Sequence, residues 1–79
     1  MNLLKLDNYH DEKYQNVLRK LRLARQDAGL TQDEVAERLG KSQYYVSRSE
    51  TGERRVDIVE LEAFARVYEK PISYFLSDV

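Results

Sequence analysis

The chain has 79 residues, no cysteine and a single histidine, and its formal net charge at pH 7 is −1. This length accommodates one small domain with a modest core. Without cysteine, neither a disulfide framework nor a thiolate metal site can form, and His10 stands in a polar stretch typical of a solvated side chain. We therefore expect no bound metal.

Composition also argues against an enzyme and against a membrane protein. The sequence contains no Ser/His/Asp, Cys/His or clustered-carboxylate set, and a helical chain this short has little room for a closed pocket. No apolar run approaches the length of a membrane span, and residues 1–12 lack the basic start and apolar core of a signal peptide. We expect a cytoplasmic, non-enzymatic protein with no cofactor and no small-molecule ligand.

The charge balance of 13 basic and 14 acidic residues is unusual for a dedicated nucleic-acid binder. The acidity, however, is concentrated at one end: residues 57–79 carry two basic and five acidic groups, whereas residues 1–30 carry six basic and four acidic ones. Contact with phosphates depends on the potential within about one Debye length (~8–10 Å). The total charge therefore does not exclude DNA and predicts moderate affinity per domain.

The N-terminal part predicts an arm followed by a long helix. Residues 1–10 are expected to form an extended N-terminal arm, and residues 11–79 one domain, since no repeat or linker interrupts them. From about Asp11, apolar residues recur at helical spacing, and Gly29 closes the run. These apolar residues are Tyr14, Val17, Leu18, Leu21, Ala24 and Ala28.

Residues 31–51 predict two short capped helices joined by a tight turn. Thr31 and Glu34 have the spacing of a capping box, so the first of these helices should start at Thr31. Gly40 ends it, because glycine enters the left-handed C-terminal conformation without a steric penalty. Ser42 caps the second helix and Gly52 ends it. Each helix is about two turns long and requires tertiary packing to persist.

The second short helix has an unusual polar face. Tyr44, Ser47, Arg48 and Thr51 share the spacing i, i+3, i+4, i+7, which places them on one side. Phenol, hydroxyl and guanidinium groups are those that contact base edges and phosphates. The pattern therefore favours a helix that is presented to DNA.

Two further helices are predicted after Gly52. Asp57 and Glu60 form a second capping pair, and Pro71 suits the first turn of a short last helix. The fourth helix should turn four residues toward the core: Leu61, Phe64, Ala65 and Tyr68. The last helix should contain Ile72, Tyr74, Phe75 and Leu76.

Residues 18–76 resemble the helix-turn-helix domain of the Cro and phage-repressor family, also called Xre-like. The resemblance is carried by LRLARQDAGLTQDEVAERLGKSQYYVSRSETGERR and by the closing segment VYEKPISYFL. It implies an all-α, five-helix lambda-repressor-like DNA-binding domain with its helix-turn-helix at about residues 31–51. It also implies a sequence-specific transcriptional regulator, a repressor that binds a palindromic operator as a homodimer with recognition helix 42–51 in the major groove.

The resemblance assigns roles to individual residues. It implies base contacts from Gln43, Tyr44, Ser47 and Arg48, with Gln32 bracing Gln43. It implies phosphate contacts from Gln32, Ser42, Tyr45, Thr51, Arg54 and Arg55. Lys41, where the chain departs from the family pattern, is expected to add another phosphate contact. Solvated surface side chains remain the alternative for Arg54 and Arg55, as do a phosphate contact or a surface ion pair for Arg48.

The resemblance also implies an internal ion pair between Arg25 and Glu50. A homodimer would use the C-terminal apolar residues Ile72, Tyr74, Phe75 and Leu76, although core packing explains Ile72 and Phe75 equally well. The chain departs from the family pattern at Lys41, Ser49, Glu69 and Lys70. Ser49 stands where a large aliphatic residue is usual, and its hydroxyl is expected to bond back to the carbonyl of Tyr45.

A second function is compatible with the net acidity and with Ser49. The fold can serve as a protein-interaction module, such as an antitoxin-like or regulatory subunit, with weak or no DNA binding. Salt-dependent binding to a duplex separates the two functions, because only a regulator should show it.

Overall fold

The computed structural model describes residues 3–77, and the side chains of residues 11–77. Residues 1–2 of the predicted arm and residues 78–79 of the predicted domain therefore lie outside the described residues. The described chain is all-α, and none of its helices combines the length and apolar composition needed to cross a membrane. Its five helices are α1 (Leu3–Asp27), α2 (Gln32–Leu39), α3 (Gln43–Thr51), α4 (Ile58–Tyr68) and α5 (Ile72–Leu76).

The start of α1 corrects the sequence expectation. Residues 3–10, expected as an extended arm, are helical, and α1 runs without interruption from Leu3 to Asp27. The segment contains neither proline nor glycine, and its Leu and Lys residues favour a helix, so nothing in it stops the helix from extending toward the N-terminus. The predicted end is correct, since Gly29 adopts a φ of 68° just after the helix.

The helix-turn-helix has the caps that the sequence predicts. The side chain of Thr31 accepts from the Glu34 N–H at 3.1 Å, and the Glu34 carboxylate accepts from the Thr31 N–H at 2.8 Å. These bonds hold the pKa of Glu34 below its usual value. Gly40 ends α2 at φ 67°, and Ser42 caps α3 by accepting from the Tyr45 N–H at 3.1 Å. The predicted bounds of both helices are therefore confirmed.

The core forms where α1 packs against α3, α4 and α5, and where α4 also packs against α2. Phe64 of α4 and Phe75 of α5 are completely buried. The predicted core face of α4 is confirmed, because Leu61, Ala65 and Tyr68 are at most 5% exposed. Phe75 was expected at a dimer surface, and that expectation is wrong, since a side chain with no exposed area cannot contact a second subunit. The other core residues are Val17, Leu18, Leu21, Ala24, Val35, Ala36 and Val46.

Helix α5 is fastened to α1 by polar bonds at its C-terminal end. Lys13 Nζ donates to the Leu76 carbonyl at 2.8 Å, and Asn16 Nδ2 donates to the Ser77 carbonyl at 2.6 Å. The ring of Tyr74 lies 4.5 Å from Lys20 Nζ. Each cation–π contact of this kind stabilises by about 0.5–2 kcal/mol. Tyr74, also expected at a dimer surface, is half-buried against these groups.

The end of α4 carries an unusual backbone conformation. Glu69 caps α4 in the left-handed region, at φ 57°, which residues with a Cβ rarely adopt. Its N–H donates to the Arg66 carbonyl, and the Lys70 N–H donates to the Ala65 carbonyl. Pro71 then precedes α5 as its N-cap residue instead of lying in its first turn.

Candidate nucleic-acid interface

Helix α3 presents one face to solvent and packs the other into the core. Val46, Ser49 and Glu50 are buried, whereas Gln43, Tyr44 and Arg48 are exposed and Ser47 is half-buried. The exposed set contains three of the four residues that the resemblance assigns to base contact. The side that projects outward is therefore the polar one.

The buried carboxylate of Glu50 anchors α3 to α1. Arg25 Nε donates to Glu50 Oε2 at 2.7 Å, and Arg25 Nη2 donates to Glu50 Oε1 at 3.1 Å. The predicted ion pair is thus present, and the Glu50 hydrogen bond raises the pKa of Arg25. Arg22 adds a third bond between the helices, from Nη1 to the Glu50 carbonyl at 2.8 Å.

A hydrogen-bond chain leads from Glu50 to the first residue of α3. Gln32 Nε2 donates to Glu50 Oε1 at 3.0 Å, and Gln43 Nε2 donates to Gln32 Oε1 at 2.6 Å. The Gln43 amide carries two N–H donors and one carbonyl acceptor. One donor is used by Gln32, which leaves a second donor and the acceptor for a base edge. The predicted bracing of Gln43 by Gln32 is confirmed.

Tyr44 and Arg48 contact each other on the exposed face, one helical turn apart. Arg48 Nη2 donates to Tyr44 Oη at 2.8 Å, and Arg48 Cζ lies over the Tyr44 ring, 4.1 Å from its centroid. Glu53 Oε2 is 3.8 Å from Arg48 Nε. The surface ion pair that is the alternative for Arg48 thus forms with Glu53.

A polar cluster, formed by Tyr45, Ser49, Arg54 and Glu60, links α3 to α4 and to the loop between them. Ser49 Oγ donates to the Tyr45 carbonyl at 2.7 Å, as the sequence predicts. Arg54 lies over the Tyr45 ring, with Cζ 4.0 Å from its centroid, and donates from Nη1 to Ser49 Oγ at 3.3 Å. Arg54 therefore packs beside the small side chain that replaces the usual aliphatic residue.

Glu60 completes this polar cluster from α4. Its Oε2 accepts from Arg54 Nη2 and, at 3.2 Å, from the hydroxyl of Tyr45. The Arg54 bond, followed by the Asp57 N–H, holds the pKa of Glu60 below its usual value. The Glu60 bond raises the pKa of Arg54, and burial raises the pKa of Tyr45. Arg54, expected at a phosphate, is thus paired with Glu60 while its side chain stays 29% exposed.

The remaining candidate phosphate contacts surround α3. Lys41, Ser42, Thr51 and Arg55 are exposed. Lys41 Nζ is 5.2 Å from the centroid of the Tyr45 ring, and Arg55 Cζ is 4.9 Å from that of Tyr14. Each of these two cationic groups thus lies over an aromatic ring.

The sequence does not indicate the contacts that two residues make in this site. Arg22 lies one turn before Arg25 on the same side of α1, and this spacing is the only signal in the sequence that links it to the ion pair. Glu60 was recognised as a capping residue for Asp57, but its second role with Arg54 depends on the path of the loop after Gly52. No sequence pattern reports that path.

Comparisons with known proteins agree with this geometry. Residues 18–71 match a family described as "Helix-turn-helix domain". The structure is similar to that of an XRE-family like protein from Pseudomonas syringae pv. tomato str. DC3000, with a TM-score of 0.85 and 39% sequence identity over 91% of this chain and 88% of that one. No curated protein sequence matches this chain.

Proposed function

The chain belongs to the Xre-like helix-turn-helix family, and from that premise we propose that it is a repressor that binds a palindromic operator as a homodimer. Membership makes it a DNA-binding regulator in general terms. The direction of control, the symmetry of the operator and the dimer are our proposal. In the complex that we propose, α3 lies in the major groove, and four of its residues face the bases: Gln43, Tyr44, Ser47 and Arg48.

The observation that carries this proposal is the fixed position of Gln43. Its amide is exposed at the start of α3 and is held by Gln32, which is itself held by the buried Glu50. An amide with one free donor and one free acceptor matches the N7 and N6 groups of adenine, and such a bidentate pair contributes about 1–3 kcal/mol of discrimination. Because the amide is positioned in the free protein, little order is lost on binding.

The phosphate contacts that we propose flank this face. Gln32, Lys41, Ser42, Tyr45, Thr51 and Arg55 lie in or next to the helix-turn-helix. Arg54 is engaged with Glu60, and we give it the role of positioning α3 through Tyr45 and Ser49. The neighbouring acids are also paired: Glu50 with Arg25, Glu53 with Arg48 and Glu60 with Arg54. These pairs reduce the repulsion of phosphates despite the overall charge of −1.

The homodimer that we propose uses the exposed apolar residues of α4 and α5. Ile58 and Val59 are 63% and 71% exposed, and Leu76 is 46% exposed. Ile72 lines a shallow surface together with Ile58 and Val59. Burial of these side chains in a second copy supplies a hydrophobic contact that Phe75, already in the core, cannot supply. Val59→Lys is expected to reduce dimer formation in sedimentation equilibrium without unfolding the monomer.

Selection of duplexes from a random pool tests the proposed function. At about 0.15 M salt we expect an enriched motif of two inverted half-sites ~34 Å apart, bound with an affinity that falls as salt rises. If no duplex is enriched, the regulator is rejected in favour of the protein-interaction module. An enriched motif without inverted symmetry would reject the palindrome and the dimer alone.

A further inference from the structure

Tyr44 and Arg48 form a fixed pair on the exposed face of α3. The hydroxyl of Tyr44 accepts from Arg48 Nη2 at 2.8 Å, while the Arg48 guanidinium carbon lies 4.1 Å from the ring centroid. Tyr44 is 60% exposed, so much of its surface is available to a ligand. The ring therefore sets the orientation of the guanidinium before any partner arrives.

The guanidinium of Arg48 retains the capacity to read a base. It carries five N–H donors, of which Tyr44 takes one. Glu53 approaches the Nε edge at 3.8 Å, beyond ordinary hydrogen-bond length. Two parallel donors therefore remain for O6 and N7 of guanine, the acceptor pair that matches this fork.

The height of the Tyr44 ring follows from that arrangement. A guanidinium bound to O6 and N7 lies close to the plane of the guanine, and a ring on its face is displaced along the helix axis of the DNA. The ring centroid lies 4.1 Å from Arg48 Cζ, and the 2.8 Å bond from Nη2 keeps the Tyr44 hydroxyl close to the guanidinium plane. The ring therefore rises from that plane toward the neighbouring base pair, which lies about 3.4 Å away along the DNA axis.

We infer that Tyr44 and Arg48 read a two-base step, with Arg48 on guanine and the Tyr44 ring on the 5-methyl group of a pyrimidine in the adjacent pair. The methyl of thymine is the only apolar group that the four bases present in the major groove, and 5-methylcytosine presents the same group. This inference rests on the proposed function. It makes Tyr44 a specificity-determining residue and makes the protein sensitive to cytosine methylation.

Base analogues in a selected duplex test the inference. Substitution by 7-deazaguanine identifies the guanine that Arg48 contacts. At that guanine the substitution should weaken binding by the wild type and leave binding by Arg48→Ala unchanged. Thymine next to that guanine is then replaced by uracil, which removes one methyl group. The wild type should bind about fourfold more weakly, because one buried methyl contributes about 0.8 kcal/mol. 5-Methylcytosine at that position should bind more tightly than cytosine.

Two variants separate the ring from its hydroxyl. Tyr44→Phe keeps the ring and should keep the difference between thymine and uracil, whereas Tyr44→Ala should lose it. Circular dichroism checks that both variants remain folded.

The other outcomes overturn the role of Tyr44, the whole inference or the proposed function. Equal binding of thymine and uracil on both sides of the guanine, or a difference that persists in Tyr44→Ala, overturns the role of Tyr44. If no guanine depends on Arg48 although a motif is enriched, only this inference fails. If no duplex is enriched, the proposed function fails with it.

Discussion

Glu50 in α3 and Arg25 in α1 form an ion pair through two guanidinium nitrogens, at 2.7 and 3.1 Å, with the Glu50 side chain only 3% exposed. The same carboxylate accepts from Gln32, which accepts in turn from Gln43. A buried pair in the middle of the domain thus determines where the first side chain of α3 points. The position of the Gln43 side chain and the stability of the fold therefore both depend on the Glu50 carboxylate.

Replacement of Arg25 by alanine should destabilise the fold strongly. The change leaves the Glu50 carboxylate buried without its cation, and loss of one partner of a buried pair costs about 3–5 kcal/mol. Urea denaturation should show a fall of that order in the free energy of unfolding. Arg19→Ala, which removes an exposed arginine bonded to Asn16, is the matched control and should change it by less than about 0.5 kcal/mol. Similar effects of the two variants would contradict the anchoring role of Glu50.

Replacement of Gln43 by alanine should relax specificity. We expect the affinity for the selected duplex to fall by about 1–3 kcal/mol, because the adenine contact is lost, and the affinity for random DNA to remain unchanged. Fluorescence anisotropy with the two duplexes measures both. An equal loss on the two would reject the assigned role of Gln43.

Arg54 and Arg55 should differ although they are adjacent. Affinity falls as salt rises, and Arg55→Ala should make the plot of log affinity against log salt less steep by about 0.9, as expected for one lost phosphate contact. Arg54→Ala should instead lower the free energy of unfolding by about 1.5–3 kcal/mol, because it removes a charged partner of Glu60. Arg66→Ala, which changes the charge equally at an exposed site on α4, is the control. A salt-slope change from Arg54→Ala equal to that from Arg55→Ala would restore Arg54 as a phosphate contact.

The polar cluster around Glu60 should make stability depend on pH in the acid range. The folded state holds the pKa of Glu60 below its usual value of 4.5, mainly through Arg54, so its ionised form contributes stability above about pH 4.5. That contribution is lost as the pH falls through the lowered pKa. The difference in unfolding free energy between wild type and Glu60→Gln should therefore shrink below pH 4.5, as urea denaturation from pH 3 to 7 would measure. Glutamine preserves the capping bond to Asp57. A pH-independent difference would contradict the ionic role.

Replacement of Glu69 by glycine should stabilise the protein. Glu69 has a φ of 57°, which disfavours any residue with a Cβ, and glycine removes that penalty at the expense of some chain entropy. We expect a gain of about 0.5–1 kcal/mol in thermal or urea unfolding. Glu69→Ala removes the same charge but keeps the Cβ, and should give no gain. A gain from alanine equal to that from glycine would show that charge, not φ, matters.

The sequence predicts the local features of this fold because capping residues act over three or four positions. Thr31 with Glu34, and Asp57 with Glu60, locate the starts of α2 and α4, and Gly40 and Gly52 locate the ends of α2 and α3. Two helix starts were predicted wrongly: residues 3–10 are helical, and Pro71 precedes α5 instead of lying in its first turn.

Contacts between distant segments were harder to predict. The polar cluster at Arg54 depends on the path of the loop after Gly52, and the burial of Lys20 against Tyr74 depends on how α5 docks on α1. Neither path leaves a periodic pattern in the sequence. The Arg25–Glu50 pair was predicted through the family resemblance, whereas Arg22 was not.

A titration of the ¹⁵N-labelled protein with its selected duplex tests the central claim, that the polar face of α3 contacts the bases. The account predicts the largest chemical-shift changes at the backbone amides of α3 and at the side-chain amides of Gln32 and Gln43, with small changes along α5. Changes concentrated on α4 and α5, with α3 unperturbed, would contradict it.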